Sequence, residues 1–160
     1  MRSPDRLDWT IISITGHREL GPISKKKVWA SMRILVEKPH VDAIYFGGAL
    51  GTDTEALKAS LHYRTGKRPH LVVVVPNTTS HQPAAARDWI YQADEVIELG
   101  NPITQDDGWA SFKKRNEFLV DCGTYLVAFF NGNYRSGTGH AIRYAEKDGL
   151  AVYKILVGRD

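Results

Sequence analysis

The chain has 160 residues, 42% hydrophobic and 24% charged, with a formal net charge of +3 and a sequence pI of about 9.0. That length suits one domain with a full core, and the composition excludes a disordered chain and the massed basic residues of a dedicated nucleic-acid binder. The polar start MRSPDRLDW and the want of a long apolar run predict no signal peptide and no membrane span, and the lone Cys122 excludes an internal disulfide and fits a reducing cytoplasm.

Residues 1–8 read as a loose tail. Residues 10–15 (TIISIT) predict a short β-branched strand that turns at Gly16-His17-Arg18. Pro22 and Ser24 announce a helix over 25–37, with Val28, Met32, Leu35 and Val36 on one face, and Pro39 ends it. Residues 41–46 are a second strand, followed by a glycine turn and a helix to residue 63. Residues 71–75 (LVVVV) are the most hydrophobic strand and are expected at the centre of a sheet, buried on both faces. A helix over 83–92, a strand over 95–99 and a polar loop over 100–108 come next. The chain closes with a helix over 109–121, a strand over 125–130, a glycine-bearing loop, a helix over 138–147 and a strand over 151–157. Cys122, at the end of a predicted helix, reads as buried filler.

Strands alternating with helices predict an α/β fold: a Rossmann-like open, mostly parallel sheet of six or seven strands with helices on both faces, residues 1–160 forming one domain. Such sheets bind ligands outside the carboxyl ends of their strands. The loops that follow strands here are the polar ones.

The central stretch is residues 42–55, DAIYFGGALGTDTE. A strand runs into Gly47, Gly48 and Gly51, and Thr52 and Asp53 open a helix. Unpaired amides and the positive end of the helix dipole then face one point, where a phosphate fits. Asp53 reads as a helix-dipole partner. Glu55 is the carboxylate with freedom to face a sugar, so it is the candidate catalytic group if the protein is an enzyme. Gly16, His17 and Arg18 project over the same place, Arg18 as a bidentate phosphate partner. Asn116, beside Arg115, falls near an apolar helical stripe with Trp109, Phe112 and Leu119, and a polar amide there calls for a partner, either a neighbouring loop or the ligand, so Arg115 and Asn116 join the candidate ligand-binding residues. Trp109, Phe112 and Phe118 read either as core or as anchors of a subunit interface. Ser136, Gly137 and Thr138 form a second phosphate cradle, and His140 could serve a leaving group. No Cys/His spacing resembles a zinc site, and no metal or other cofactor is expected.

Four motifs in order, T-G-H-R, G-G-A-L-G-T-D-T-E-A, R-N-E-F-L-V-D and S-G-T-G-H-A, span Thr15 to Ala141. The set resembles the SLOG superfamily of Rossmann-like nucleotide-binding domains, which includes DNA-processing protein A, the lonely-guy phosphoribohydrolases and the YpsA-like proteins. The resemblance implies a nucleotide-like ligand and a homo-oligomer. The phosphoribohydrolases carry P-G-G-x-G-T-x-x-E. Here Phe46 stands in place of the proline, and Ala49 and Leu50 separate Gly48 from Gly51. The favoured reading is therefore a binding or sensing module for a nucleotide or nucleotide-derived phosphate. A nucleotide N-glycoside hydrolase or transferase using Glu55 is the alternative, and single-stranded DNA binding ranks below both.

Overall fold

The computed structural model describes residues 6–103, 106 and 108–158. Part of the expected tail (residues 1–5) and three positions of the expected 100–108 loop lie outside the described residues. The element order is β1 (Ile11–Gly16), α1 (Pro22–Val36), β2 (Ala43–Gly47), α2 (Thr52–Tyr63), β3 (His70–Val75), α3 (Ala84–Ile90), β4 (Glu95–Glu98), α4 (Trp109–Cys122), β5 (Tyr125–Phe130), α5 (Gly137–Lys147) and β6 (Ala151–Leu156), with a short 3-10 turn at Thr79–His81. Helix α1 opens at Pro22 and not at 25, because proline is preorganised for the first helical position, where its missing N–H costs nothing.

The six strands form one sheet in the order β4-β3-β2-β1-β5-β6, and every neighbouring pair is parallel. This is the expected Rossmann-like architecture. The strand at 71–75 is buried, as its five apolar residues require, but it sits one place from the β4 edge; β2 and β1 hold the centre.

Alternation along the strands builds two cores. Ile12, Ile14, Ile44, Phe46, Val73 and Val75 pack with Val28 and Met32 of α1, Ala56 and Leu57 of α2 and Ile90 of α3. On the other face, Ile11, Ala43, Tyr45 and Val72 meet Leu119 and Cys122 of α4, while Leu126 and Ala128 meet Ala141 and Ile142 of α5. Cys122 is a buried packing residue. Edge strand β6, by contrast, leaves most of its residues exposed.

The chain builds outward from β1 through β2 and β3 to β4, then returns across the sheet through α4 to start β5 on the other side of β1. The strand order therefore reverses between β1 and β5. Above that gap the loops leave in opposite directions and open a crevice.

Gly51 shows how tightly the loops beside the crevice are packed. Its φ is +82°, and a β-carbon there would collide with the Arg18 carbonyl. Gly66 has φ +67° with nothing within 4 Å of a β-carbon. Gly66→Ala should therefore cost only the left-handed backbone term, roughly 1–2 kcal/mol. Gly51→Ala adds a backbone clash and should cost clearly more in urea unfolding. Equal losses at the two sites would contradict the packing of residues 16–18 on the α2 turn.

Candidate functional site

A cleft of about 350 Å³ opens at the carboxyl ends of β1 and β5. Strand β1 delivers Thr15 and Gly16 and, just past its end, His17 and Arg18. Helix α4 contributes Trp109, Phe112, Arg115, Asn116 and Leu119. The start of α5 contributes Ser136, Gly137 and Thr138, and Ala49 and Asp53 enter from the β2–α2 turn. Nine of the residues singled out from the sequence thus line one cavity: Gly16, His17, Arg18, Asp53, Arg115, Asn116, Ser136, Gly137 and Thr138.

The floor holds two buried opposite charges whose fields act on each other. Arg115 is 5% exposed and Asp53 7%. Both crowd Gly47: a β-carbon there would lie 2.5 Å from Asp53 Oδ2 and 2.7 Å from Arg115 Nη1. Gly47 is therefore glycine to make room for the pair, and it does not itself line the cleft. The Ala49 amide donates to Asp53 Oδ2 at 3.3 Å. Burial pushes the Asp53 carboxyl up, opposed by the Arg115 and Arg18 charges and by amide donors. Burial likewise pushes the Arg115 guanidinium down; Asp53 opposes that shift and Arg18 reinforces it.

Asn116 holds this arrangement in place. Arg115 Nε donates to Asn116 Oδ1 at 2.9 Å, and Asn116 Nδ2 donates to the Gly137 carbonyl at 3.2 Å. The amide whose partner the sequence left open thus ties the guanidinium of α4 to the first turn of α5. At the rim, exposed Arg18 lies over the Phe112 ring, with Cζ 4.1 Å from its centroid. Trp109 and Phe112 belong to this cleft wall. Their spacing with Asn116 on one helical stripe was the signal for it, and the choice between core and interface passed over a third use for aromatic side chains. Phe118 packs beneath α4 beside the second core. Asp106 lies at the rim and was not foreseen.

The two glycine-bearing helix starts differ. At α5, Ser136 caps the helix, its Oγ accepting from the Gly139 amide at 3.1 Å. Gly137 and Thr138 then head the helix inside the cleft, where first-turn amides lack intrahelical acceptors. The start of α2 is packed shut. The Thr52 amide and Oγ1 both donate to the His17 carbonyl, at 3.0 and 2.9 Å. Thr52 and Gly51 therefore hold the β1 loop, and Gly48 faces Val73, Val75 and Ile90 in the core.

Two further sequence candidates lie elsewhere. The Glu55 carboxylate accepts from Trp29 Nε1 at 2.9 Å and sits 3.7 Å from Lys25 Nζ and 3.6 Å from Lys58 Nζ, between α1 and α2. It turns from the cleft because residues two apart on a helix point about 200° apart, and Asp53 already takes the cleft side. His140 Nε2 lies 2.8 Å from Glu117 Oε2, bridging α5 and α4. Among the described residues no cluster of His, Cys, Asp and Glu is placed to hold a metal ion. No described helix is long and apolar enough to cross a membrane.

No family model matches the chain. It is 28% identical over 139 residues to YoqJ, an uncharacterized SPβ prophage-derived protein of Bacillus subtilis, a match covering 77% of this chain and 80% of that protein. Its fold is similar to that of DNA processing protein A from Helicobacter pylori, a single-stranded DNA binder, with a TM-score of 0.72 and 20% identity over 96% of this chain and 68% of that one. The Streptococcus pneumoniae DNA processing protein A gives a TM-score of 0.74 at 18% identity, over 94% of this chain and 51% of that one. A molybdenum cofactor binding protein from Rippkaea orientalis gives 0.67 at 17% identity, over 96% of this chain and 79% of that one. The fold is thus the Rossmann-like α/β fold that these proteins share.

His17 makes the site sensitive to acid. Its Nε2 accepts from the Asn131 amide at 3.0 Å, which requires the neutral ring, and the ring stacks on Phe130. Burial holds its pKa below the usual value near 6.5. The unfolded chain then takes up a proton that the folded chain resists, so stability is present above about pH 6.5 and lost as pH falls through the folded value. The urea midpoint should fall between pH 7.5 and 5.5, and His17→Gln, which keeps an acceptor, should shrink that fall. An identical fall in both proteins would refute the assignment.

Proposed function

We propose that the protein binds a nucleotide or nucleotide-derived phosphate in the β1–β5 cleft, as a binding or sensing module. One observation carries this reading: two guanidiniums, Arg18 at the rim and Arg115 at the floor, converge on a cavity headed by the first turn of α5. Arg18 at the rim adds to the cost of charging buried Arg115, and an anion between them lowers it. The cleft carboxylates oppose this only in part, since Asp53 is held at the floor against Arg115 and Asp106 stands at the exposed rim. The Trp109 and Phe112 rings give a base or sugar an apolar surface to lie on. The molybdenum cofactor binding protein, a fold neighbour, is consistent with such a site, though it shares only the fold.

The N-glycosidase alternative needs a carboxylate at the sugar. Glu55, engaged by Trp29, Lys25 and Lys58, does not supply one to this cleft. Single-stranded DNA is a second reading, resting on the fold shared with DNA processing protein A. A homo-oligomer and a cytoplasmic setting remain parts of the proposal. Trp109 and Phe112 line the cleft, so an oligomer would use other surfaces, and light scattering tests for it.

A thermal-shift screen against nucleoside monophosphates and short single-stranded DNA tests the reading, because a ligand of the folded state raises its Tm. Arg18→Ala removes an exposed side chain, so the protein should fold normally and bind the nucleotide at least about tenfold more weakly. Glu55→Gln should bind as the natural protein does, and neither should release free base. Base release that Glu55→Gln abolishes would restore the enzyme reading. An unchanged affinity in Arg18→Ala would remove the binding reading.

A further inference from the structure

We infer that the groove between α1 and β6, apart from the β1–β5 cleft, docks an amphipathic helix of a partner protein whose apolar stripe is flanked by acidic residues. The groove is a gap in the helical layer. Strands of a parallel sheet are apolar because helices normally cover both of their faces. Strand β6 reads AVYKIL, yet Ala151, Tyr153, Lys154 and Leu156 are exposed. Helices α4 and α5 pack on one face of the sheet and α1, α2 and α3 on the other, where α1 borders β6 without covering it. The space left is about 410 Å³. Tyr125 and Val127 of β5 and Tyr153 and Ile155 of β6 form its floor, with Ser31 and Ile34 of α1 as its wall. Ile34 is 62% exposed and Tyr153 58%. Single exposed apolar residues are ordinary, but several gathered on one concave surface mark an interaction site.

Shape sets the occupant. Lys27, Ser31 and Ile34 fall at i, i+4 and i+7 and share the side of α1 that faces β6, and Lys38 stands just past the end of the helix. The 15 residues of α1 run about 22 Å and the six of β6 about 20 Å, so roughly four turns of a further helix fill the strip beside α1. Addition of a strand to the β6 edge is the competing mode. Lys27 opposes it, because its Nζ donates to the Leu156 carbonyl at 2.7 Å and so takes an acceptor of the edge. Charge sets the chemistry of the partner. Of the described residues that line the groove, Lys38 alone is charged, and Lys27 stands at the other end. The other polar lining side chains, Ser31, Tyr125 and Tyr153, all carry hydroxyl donors. Cations and donors around an apolar floor are complementary to carboxylates. A second copy turned onto the same patch about a two-fold axis would set these lysines against their own counterparts, and two concave surfaces would leave the space between them unfilled.

A displayed library of helical peptides, about 14 residues long, tests this on the full chain. Each peptide carries an apolar stripe at i, i+3, i+4 and i+7, and its flanking positions vary among Glu, Gln and Lys. Ile34→Asp and Tyr153→Asp change exposed side chains, so both variants should keep the Tm of the natural protein. Peptides selected on the natural protein should carry Glu at the flanks. They should bind it at least about tenfold more tightly than they bind either variant, and at least about tenfold more tightly than their Lys-flanked twins do. Lys27→Glu combined with Lys38→Glu should reverse the preference between the twins. Selection of Gln or Lys at the flanks, or peptides indifferent to both aspartate variants, would overturn the inference. A dimer in sedimentation that Tyr153→Asp disperses would overturn it in favour of a second copy. Binding to phosphatidylserine vesicles that the same variant abolishes would overturn it in favour of a membrane surface.

Discussion

The architecture of the cleft depends on one electrostatic constraint, the burial of the Arg115 guanidinium. A cation taken from water costs several kcal/mol unless opposite charge and hydrogen bonds replace its hydration, and removing a single partner of such a pair typically costs about 3–5 kcal/mol. Three sequence choices answer that demand. Asp53 supplies the charge, Gly47 leaves out the side chain that would occupy the same space, and Asn116 takes the Nε–H. These residues come from a strand end and two helices on opposite faces of the sheet, so the two charges meet across both layers where the strand order reverses.

The two glycine-bearing helix starts illustrate how similar local chemistry reaches opposite ends. Each leaves amides that its own helix cannot satisfy. At α2 the neighbouring β1 loop arrives first, and the His17 carbonyl takes the Thr52 amide and hydroxyl. At α5 a side chain within the helix start, Ser136, serves as the cap, and the remaining first-turn backbone faces the cavity. The closed start serves the open one, because fixing His17 and Arg18 on the α2 turn holds Arg18 over Phe112 at the rim.

The fold is shared with proteins at 17–20% identity, among them a DNA binder and a molybdenum cofactor binder. Strands that deliver backbone to a crevice say where a ligand goes, not which ligand it is. That choice lies in side chains such as Arg18, Trp109, Phe112 and Arg115, which give this cleft its charge and its apolar wall.

Alternating periodicities in the chain were enough to determine a parallel sheet with helices on both faces, and polar residues after the strands marked the edge where the cleft opens. Gly16, His17, Arg18, Asn116, Ser136, Gly137 and Thr138 were legible as residues of one cleft because each sits at a strand end, a helix start or a polar break in an apolar stripe. Those are local signals, and the parallel sheet carries them to one edge. What each candidate meets there is not local. Glu55 and Asp53 stand two residues apart with similar chemistry, yet one faces Trp29 and the other Arg115, and only the docking of α1 and α4 on opposite faces decides which. The aromatic wall, the closed α2 turn and the buried charges of the floor were likewise settled by tertiary packing, since each is made by segments far apart in the chain whose meeting no local pattern encodes.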